Sequence, residues 1–156
     1  MNGHHGIDIG HGTENLVTRF RFDTKFTHDL SVDWFAMHSV FSEGSGIDMN
    51  MDHHRSANHS NLFTNLDCGL CSRPFDSSGS AENGTHAGAF STFWNIYGKP
   101  AQISLPEDDF GPVVNLIGNF VERPRTPINW LKDSIPIKQQ LCPSNLHEAM
   151  KTRRLK

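Results

Sequence analysis

What most constrains this chain is a run of short alternating apolar segments between residues 6 and 121, each bounded by Gly, Asn, Asp, Ser or His. Period-two alternation sorts side chains onto the two faces of a strand, and no helical period of comparable strength occurs in this stretch. The segments also resemble one another. Asn15-Leu16-Val17-Thr18-Arg19-Phe20-Arg21-Phe22 lies over Asn61-Leu62-Phe63-Thr64-Asn65-Leu66-Asp67-Cys68, and Gly6-Ile7-Asp8-Ile9 over Gly46-Ile47-Asp48-Met49. Further strands are expected at 29–35, 90–96 and 113–120. Similar strands returning after unequal loops indicate a solenoid. The expected fold is an all-β parallel β-helix with a loop-rich tail and a short C-terminal helix. An antiparallel sandwich also uses many short strands, but hairpin signals are nearly missing, and Asn83-Gly84 sits in a long polar loop.

Strict alternation assigns to the interior Leu16, Thr18, Phe20 and Phe22; Leu30, Val32 and Trp34; Ile47, Met49 and Met51; Leu62, Thr64, Leu66 and Cys68; and Phe90, Thr92, Trp94 and Ile96. The 156 residues fit one domain. Coils are expected over 1–121, with a tail and capping helix over 122–156, where Pro124, Pro127, Pro136 and Pro143 break the repeat. In the tail Asn145 is placed to cap a helix, with Glu148 three residues on and Leu146, Ala149 and Met150 on one face. Fourteen Lys+Arg against 17 Asp+Glu exclude a generic basic nucleic-acid binder. No window is apolar over the roughly 18 residues of a membrane span.

The densest polar cluster is Asp48-Met49-Asn50-Met51-Asp52-His53-His54-Arg55. Alternation places Asp48, Asn50, Asp52 and His54 together on an outward strip, with Asp33, Asn65 and Asp67 expected from neighbouring coils. Such a strip suits an extended ligand. An acidic polysaccharide would meet these carboxylates through a bridging cation, for which Ca²⁺ held by Asp48 and Asp52 is the expected ion. With a cation or Arg55 neutralising a uronate carboxylate, the adjoining C–H becomes acidic enough for a histidine base, His54 or His86, and the reaction is β-elimination. Asp48 and Asp52 as acid and base of glycoside hydrolysis, and a non-catalytic glycan- or protein-binding module, are the alternatives. Cys68-Gly69-Leu70-Cys71 has redox or half-zinc spacing without a second pair. Cys68 continues an inward stripe and reads as a buried thiol.

The run Asp52-His53-His54-Arg55, Asn61 to Asp67, Arg73, His86-Ala87-Gly88-Ala89 and Thr92 to Ile96 resembles the C-terminal half of right-handed parallel β-helix proteins of the pectin-lyase-like superfamily. Asn145 to Met150 with Arg153-Arg154-Leu155 is similar to the helix that ends many of those chains. The resemblance covers most of the chain. It implies a carbohydrate-active protein, extracellular or periplasmic, of lyase or hydrolase type, with Ca²⁺ as in several lyases. It directs attention to His53, His54, Arg55 and His86 for catalysis and Arg73 for substrate, to which the strip adds Asn50 and Asn65. Two departures are the missing earlier coils and the lack of a basic-then-apolar leader. Further coils or a partner are therefore expected against the N-terminal end.

Overall fold

The computed structural model describes residues 3–84, 87–107, 109–121, 130–134 and 140–156. In chain order its strands are β1 (His5–Gly10), β2 (Leu16–Thr18), β3 (Arg21–Phe22), β4 (His28–Asp33), β5 (Val40–Ser42), β6 (Ser45–Gly46), β7 (Met51–His53), β8 (Leu62–Asp67), β9 (Phe75–Asp76), β10 (Thr92–Tyr97), β11 (Asn115–Gly118) and β12 (Leu131–Ser134), followed by helix α1 (Leu146–Arg154). They stack as a parallel β-solenoid of about 5 turns. One sheet runs β1-β4-β7-β9, and the other runs β12-β11-β10-β8-β5-β2 with β3 and β6 as its bent continuation. Single-residue bridges through Thr13, Met37, His59 and Ala89 form a third row. Among the described residues no helix is long and apolar enough to cross a membrane.

Leu16, Val40 and Leu62 are aligned in neighbouring coils, so the repeat of 15–22 over 61–68 is a true stacking relation two coils apart. The likeness of 6–9 to 46–49 is not, because Ile7 pairs with Leu30, and Leu30 with Met51. Stacking also continues past residue 121, since β12 pairs with β11.

Alternation fails at the corners of the second sheet. Thr18, Ser42, Thr64 and Trp94 stack in register, and the residues after them, Arg19, Glu43, Asn65 and Asn95, all have left-handed φ of 54 to 57°. A left-handed residue turns the chain within the strand and resets which face the next side chain meets. Phe63 and Leu66 therefore both face inward, as do Phe93 and Ile96, while Leu16, Phe90 and Trp34, assigned inward from the sequence, are largely exposed. The interior is a ladder of stacked rings, Phe41 on Phe63 at 4.8 Å and Phe63 on Phe93 at 5.1 Å. Beside it runs a buried polar row. Asn61 Oδ1 accepts from the Ser39 amide at 3.0 Å, Asn61 Nδ2 donates to the Ala36 carbonyl at 3.1 Å, and the Asn61 amide donates to Ser91 Oγ at 3.2 Å. Asn61 thus ties its own coil to the coils on either side. Cys68 and Cys71 form a disulfide, in place of the buried thiol expected.

The tail lies on the outer face of the second sheet. Trp94 Nε1 donates to the Pro143 carbonyl at 2.7 Å, Asn95 Nδ2 to Ser144 at 3.0 Å, and the Leu146 amide to Thr64 Oγ1 at 3.0 Å. Thr64 and Ser42 are buried because the tail covers them. Asn145 caps α1 as expected, its Oδ1 accepting from the Glu148 amide at 3.2 Å, and its Nδ2 also holds Ser42 Oγ at 2.9 Å. Asn145→Ala removes both contacts. The expected cost is about 2 kcal/mol in urea melts, with faster proteolysis of the tail; a cost under about 0.5 kcal/mol would show that the cap does not anchor the tail.

Candidate functional site

With the tail lying over the second sheet at Ser42, Thr64 and Trp94, the densest cluster of titratable side chains among the described residues is on the outer face of the first. Asp8, Ser31, Asp52 and Asp76 form one cross-coil row there. Around this row stand four imidazoles. His28 is 5.0 Å from His4, 5.2 Å from His5 and 5.3 Å from His54 between ring centroids, and His5 is 5.7 Å from His54. Ser31 is small and leaves room in the middle, its Oγ bonded to His5 Nδ1 at 2.8 Å.

Asp52 is the hub. It is fully buried, with Oδ1 accepting from Ser78 Oγ at 2.6 Å and from the Ser78 amide at 3.2 Å. Its Oδ2 faces Nδ1 of His54 in a close ion pair and Nδ1 of His28 at 3.4 Å. Burial alone would raise the Asp52 carboxyl, but contact with His54, the Ser78 hydrogen bond and the neighbouring imidazoles outweigh it and hold it below the ordinary carboxylate value. The same contact raises His54 above the ordinary histidine value against the opposing effect of burial. His28 is lowered, chiefly by burial. Asp76 is raised, first by burial and then by the charge of Asp52.

Of the residues expected from sequence, Asp52 and His54 belong to this site. Asp48 and Asn50 do not lie on an exposed strip. Asp48 is buried, and its oxygens are taken by Lys25 Nζ at 2.5 Å and by the Ser72 amide and hydroxyl at 2.8 and 2.7 Å. Burial would raise its carboxyl, but these hydrogen bonds and the Lys25 charge hold it at about 2. Asn50 is fully buried and exchanges hydrogen bonds with Asp29, its Oδ1 accepting from the Asp29 amide at 2.8 Å and its own amide donating to Asp29 Oδ2 at 3.1 Å. Arg73 clamps the same corner, donating to the carbonyls of Thr27 and Phe26 and to Asp29 Oδ2 at 3.1 Å. Asn65 is a left-handed corner of the second sheet and accepts from Asn95 Nδ2 at 3.1 Å; with Asp67 it lies in β8, away from the first sheet. Arg55 pairs with Asp109 at 3.5 Å. His53 points into the core between Phe63, Phe93 and Phe110, at 5.0 to 5.5 Å from each ring. His86 lies outside the described residues.

Sequence reasoning missed His4, His5, His28, Asp76 and Ser78. His28 opens β4 and is aligned with His5, and Asp52 is aligned with Asp76. The signal was the register between coils, which the alternation alone does not reveal.

Ca²⁺ does not fit the residues assigned to it. That ion takes six to eight oxygens, whereas Asp48 is occupied by Lys25 and Ser72, and Asp52 is faced by imidazole nitrogens.

A cavity of about 540 Å³ lies elsewhere, lined by Ala57, Asn58, Ser60, Asn83, Ala89 and the exposed ring of Phe90 among others. The 78–84 loop connects the two places: Ser78 bonds Asp52 at one end, and the Asn83 carbonyl accepts from the Ser56 amide at the other. Trp34, which follows Asp33 at the end of β4, is also exposed and stacks on His11 at 5.5 Å.

Compared with protein-family models, with curated proteins and with solved structures, the chain has no match to any.

Proposed function

We propose that this β-solenoid acts on an acidic polysaccharide laid across the outer face of its first sheet and cleaves it by β-elimination. The observation that carries the reading is the His54–Asp52 pair set among three further imidazoles on an outward sheet face. A buried carboxylate that faces one ring nitrogen fixes the orientation of the imidazole, and the other nitrogen, 3.2 Å from Ser78 Oγ, is the one that exchanges protons in this reading. His54 takes the proton beside the uronate carboxylate. The electron pair of that C–H bond forms the carbon–carbon double bond, and the glycosidic oxygen leaves with a proton from a neighbouring imidazolium. Arg55 and Arg73 are engaged by Asp109 and Asp29, so carboxylate binding falls to the imidazoles. The exposed rings of Trp34 and Phe90 suit stacking on sugar faces. Kinship with the pectin-lyase-like superfamily, and an extracellular or periplasmic setting, belong to the same proposal and draw on the solenoid fold and the motifs around His54.

The test is incubation with polygalacturonate, alginate and glycosaminoglycan uronates while following absorbance of the unsaturated product. His54→Gln is expected to lower turnover at least about a hundredfold with an unchanged circular dichroism spectrum. Asn50→Ala and Arg73→Ala should act through stability alone. No product from any uronate polymer, with glycan binding retained on an array, would replace the lyase by a binding module.

A further inference from the structure

We propose that His28, Asp52 and His54 form a binding site for a divalent transition-metal ion of the Zn²⁺ type. One ligand atom from each residue can be chosen so that all three lie within 4.8 Å of one another. Within this group His28 Nδ1 and Asp52 Oδ2 are buried and make no hydrogen bond of normal geometry, Oδ2 being in close ionic contact with His54 Nδ1. Buried polar atoms without a hydrogen bond are costly, and these two face one another across 3.4 Å. An ion between them would satisfy both.

The donor set selects the metal. Two imidazoles and one carboxylate suit Zn²⁺, Mn²⁺ or Fe²⁺ and leave coordination positions open for water or a ligand. The Ser78 hydroxyl on Asp52 Oδ1 is the outer partner that such a carboxylate usually has, and it directs Oδ2 toward the nitrogens. Asp76 Oδ2 stands 3.8 Å from His28 Nδ1 and neighbours Asp52 in the next coil. The ligands come from two adjacent coils, so binding would also tie those coils together.

This inference does not depend on the polysaccharide reading, although the two meet at His54. An imidazole that ligates an ion through one nitrogen has no lone pair left for a proton. Occupancy therefore withdraws His54 from proton transfer, and the ion acts as a brake on turnover.

The probe is Co²⁺ or Zn²⁺ alone, titrated into chelator-treated protein with no polysaccharide present. The expected result is one ion per chain by calorimetry, a four- or five-coordinate Co²⁺ absorption spectrum, and a melting temperature that rises with metal concentration. His28→Ala and Asp52→Asn should each weaken binding at least tenfold. His38→Ala and His59→Ala, which alter a separate ring pair 6.0 Å apart, should leave it unchanged and so control for the ten histidines of the chain. Folding of each variant is checked by circular dichroism in chelator; should Asp52→Asn fail to fold, His28→Ala decides. Unchanged affinity in His28→Ala, or Ca²⁺ binding as tight as Co²⁺ binding, overturns the site. In the polysaccharide assay Zn²⁺ should suppress turnover and chelator restore it. Turnover that rises with Zn²⁺ overturns the brake and His54 as the base, while the titration still reports on the ion site by itself.

Discussion

Replacing Phe63 by alanine is expected to destabilise the solenoid by about 4 kcal/mol, read as a lower urea midpoint with little change in slope. Phe63 is 1% exposed and lies between Phe41 and Phe93, with His53 5.1 Å away on its flank. A solenoid coil gains its stability from its two neighbours, so a void in a middle coil weakens two interfaces at once. Domains of this size are stable by only about 5–15 kcal/mol, and the loss is therefore a large share of the whole. Phe90→Ala is the control. Its ring is 54% exposed, and the change should cost under about 0.5 kcal/mol from lost packing. A larger cost at Phe90 than at Phe63 would mean that the strand faces are the opposite of those described.

That pair of substitutions also marks where the sequence stops being legible. Alternation correctly places Leu30, Val32, Met49 and Met51 inside, because their strands carry no left-handed residue. It misplaces Leu62 and Trp94, because Asn65 and Asn95 turn within the strand and reset the face. Asparagine tolerates that backbone region and could have raised suspicion, but Arg19 and Glu43, which do the same in the earlier coils, carry no such mark.

The candidate site was half visible for a related reason. Asp52 and His54 are two apart on one segment, so a period-two reading unites them. His28 and His5 reach them only through coil stacking, and coil lengths differ: 23 residues separate His5 from its partner His28, 21 separate Ser31 from Asp52, and 24 separate Asp52 from Asp76. Unequal coils defeat any fixed-period alignment. The buried states of Asp48 and Asn50 were hidden as well, because a polar residue packs inside only where partners hydrogen-bond to it, and those partners are not adjacent in sequence. Lys25, Ser72 and Asp29, which hydrogen-bond to them, lie more than 20 residues away in sequence.

Acidification from about pH 6.5 to pH 4 is expected to remove about 3 kcal/mol of stability through His53. Burial among phenylalanine rings, only partly opposed by Asp52, lowers this imidazole to about 4, whereas in the unfolded chain it titrates near 6.5. Between these values the unfolded chain binds a proton that the folded chain refuses. The contribution is therefore complete above about pH 6.5 and is lost as pH falls to about 4. Asp48 adds a second loss at lower pH, complete above its unfolded value near 3.8 and lost as pH falls toward about 2. Urea melts in chelator, taken at half-unit steps, should show the first loss in the wild type and not in His53→Leu; the difference between the two curves isolates this group from His28 and His54 nearby. His53 Nε2 is buried without a hydrogen-bond partner, so leucine also removes an unsatisfied polar atom and should match or exceed wild-type stability at pH 7. If His53→Leu loses stability between pH 6.5 and 4 as steeply as the wild type, the imidazole is not the group that makes this core sensitive to acid.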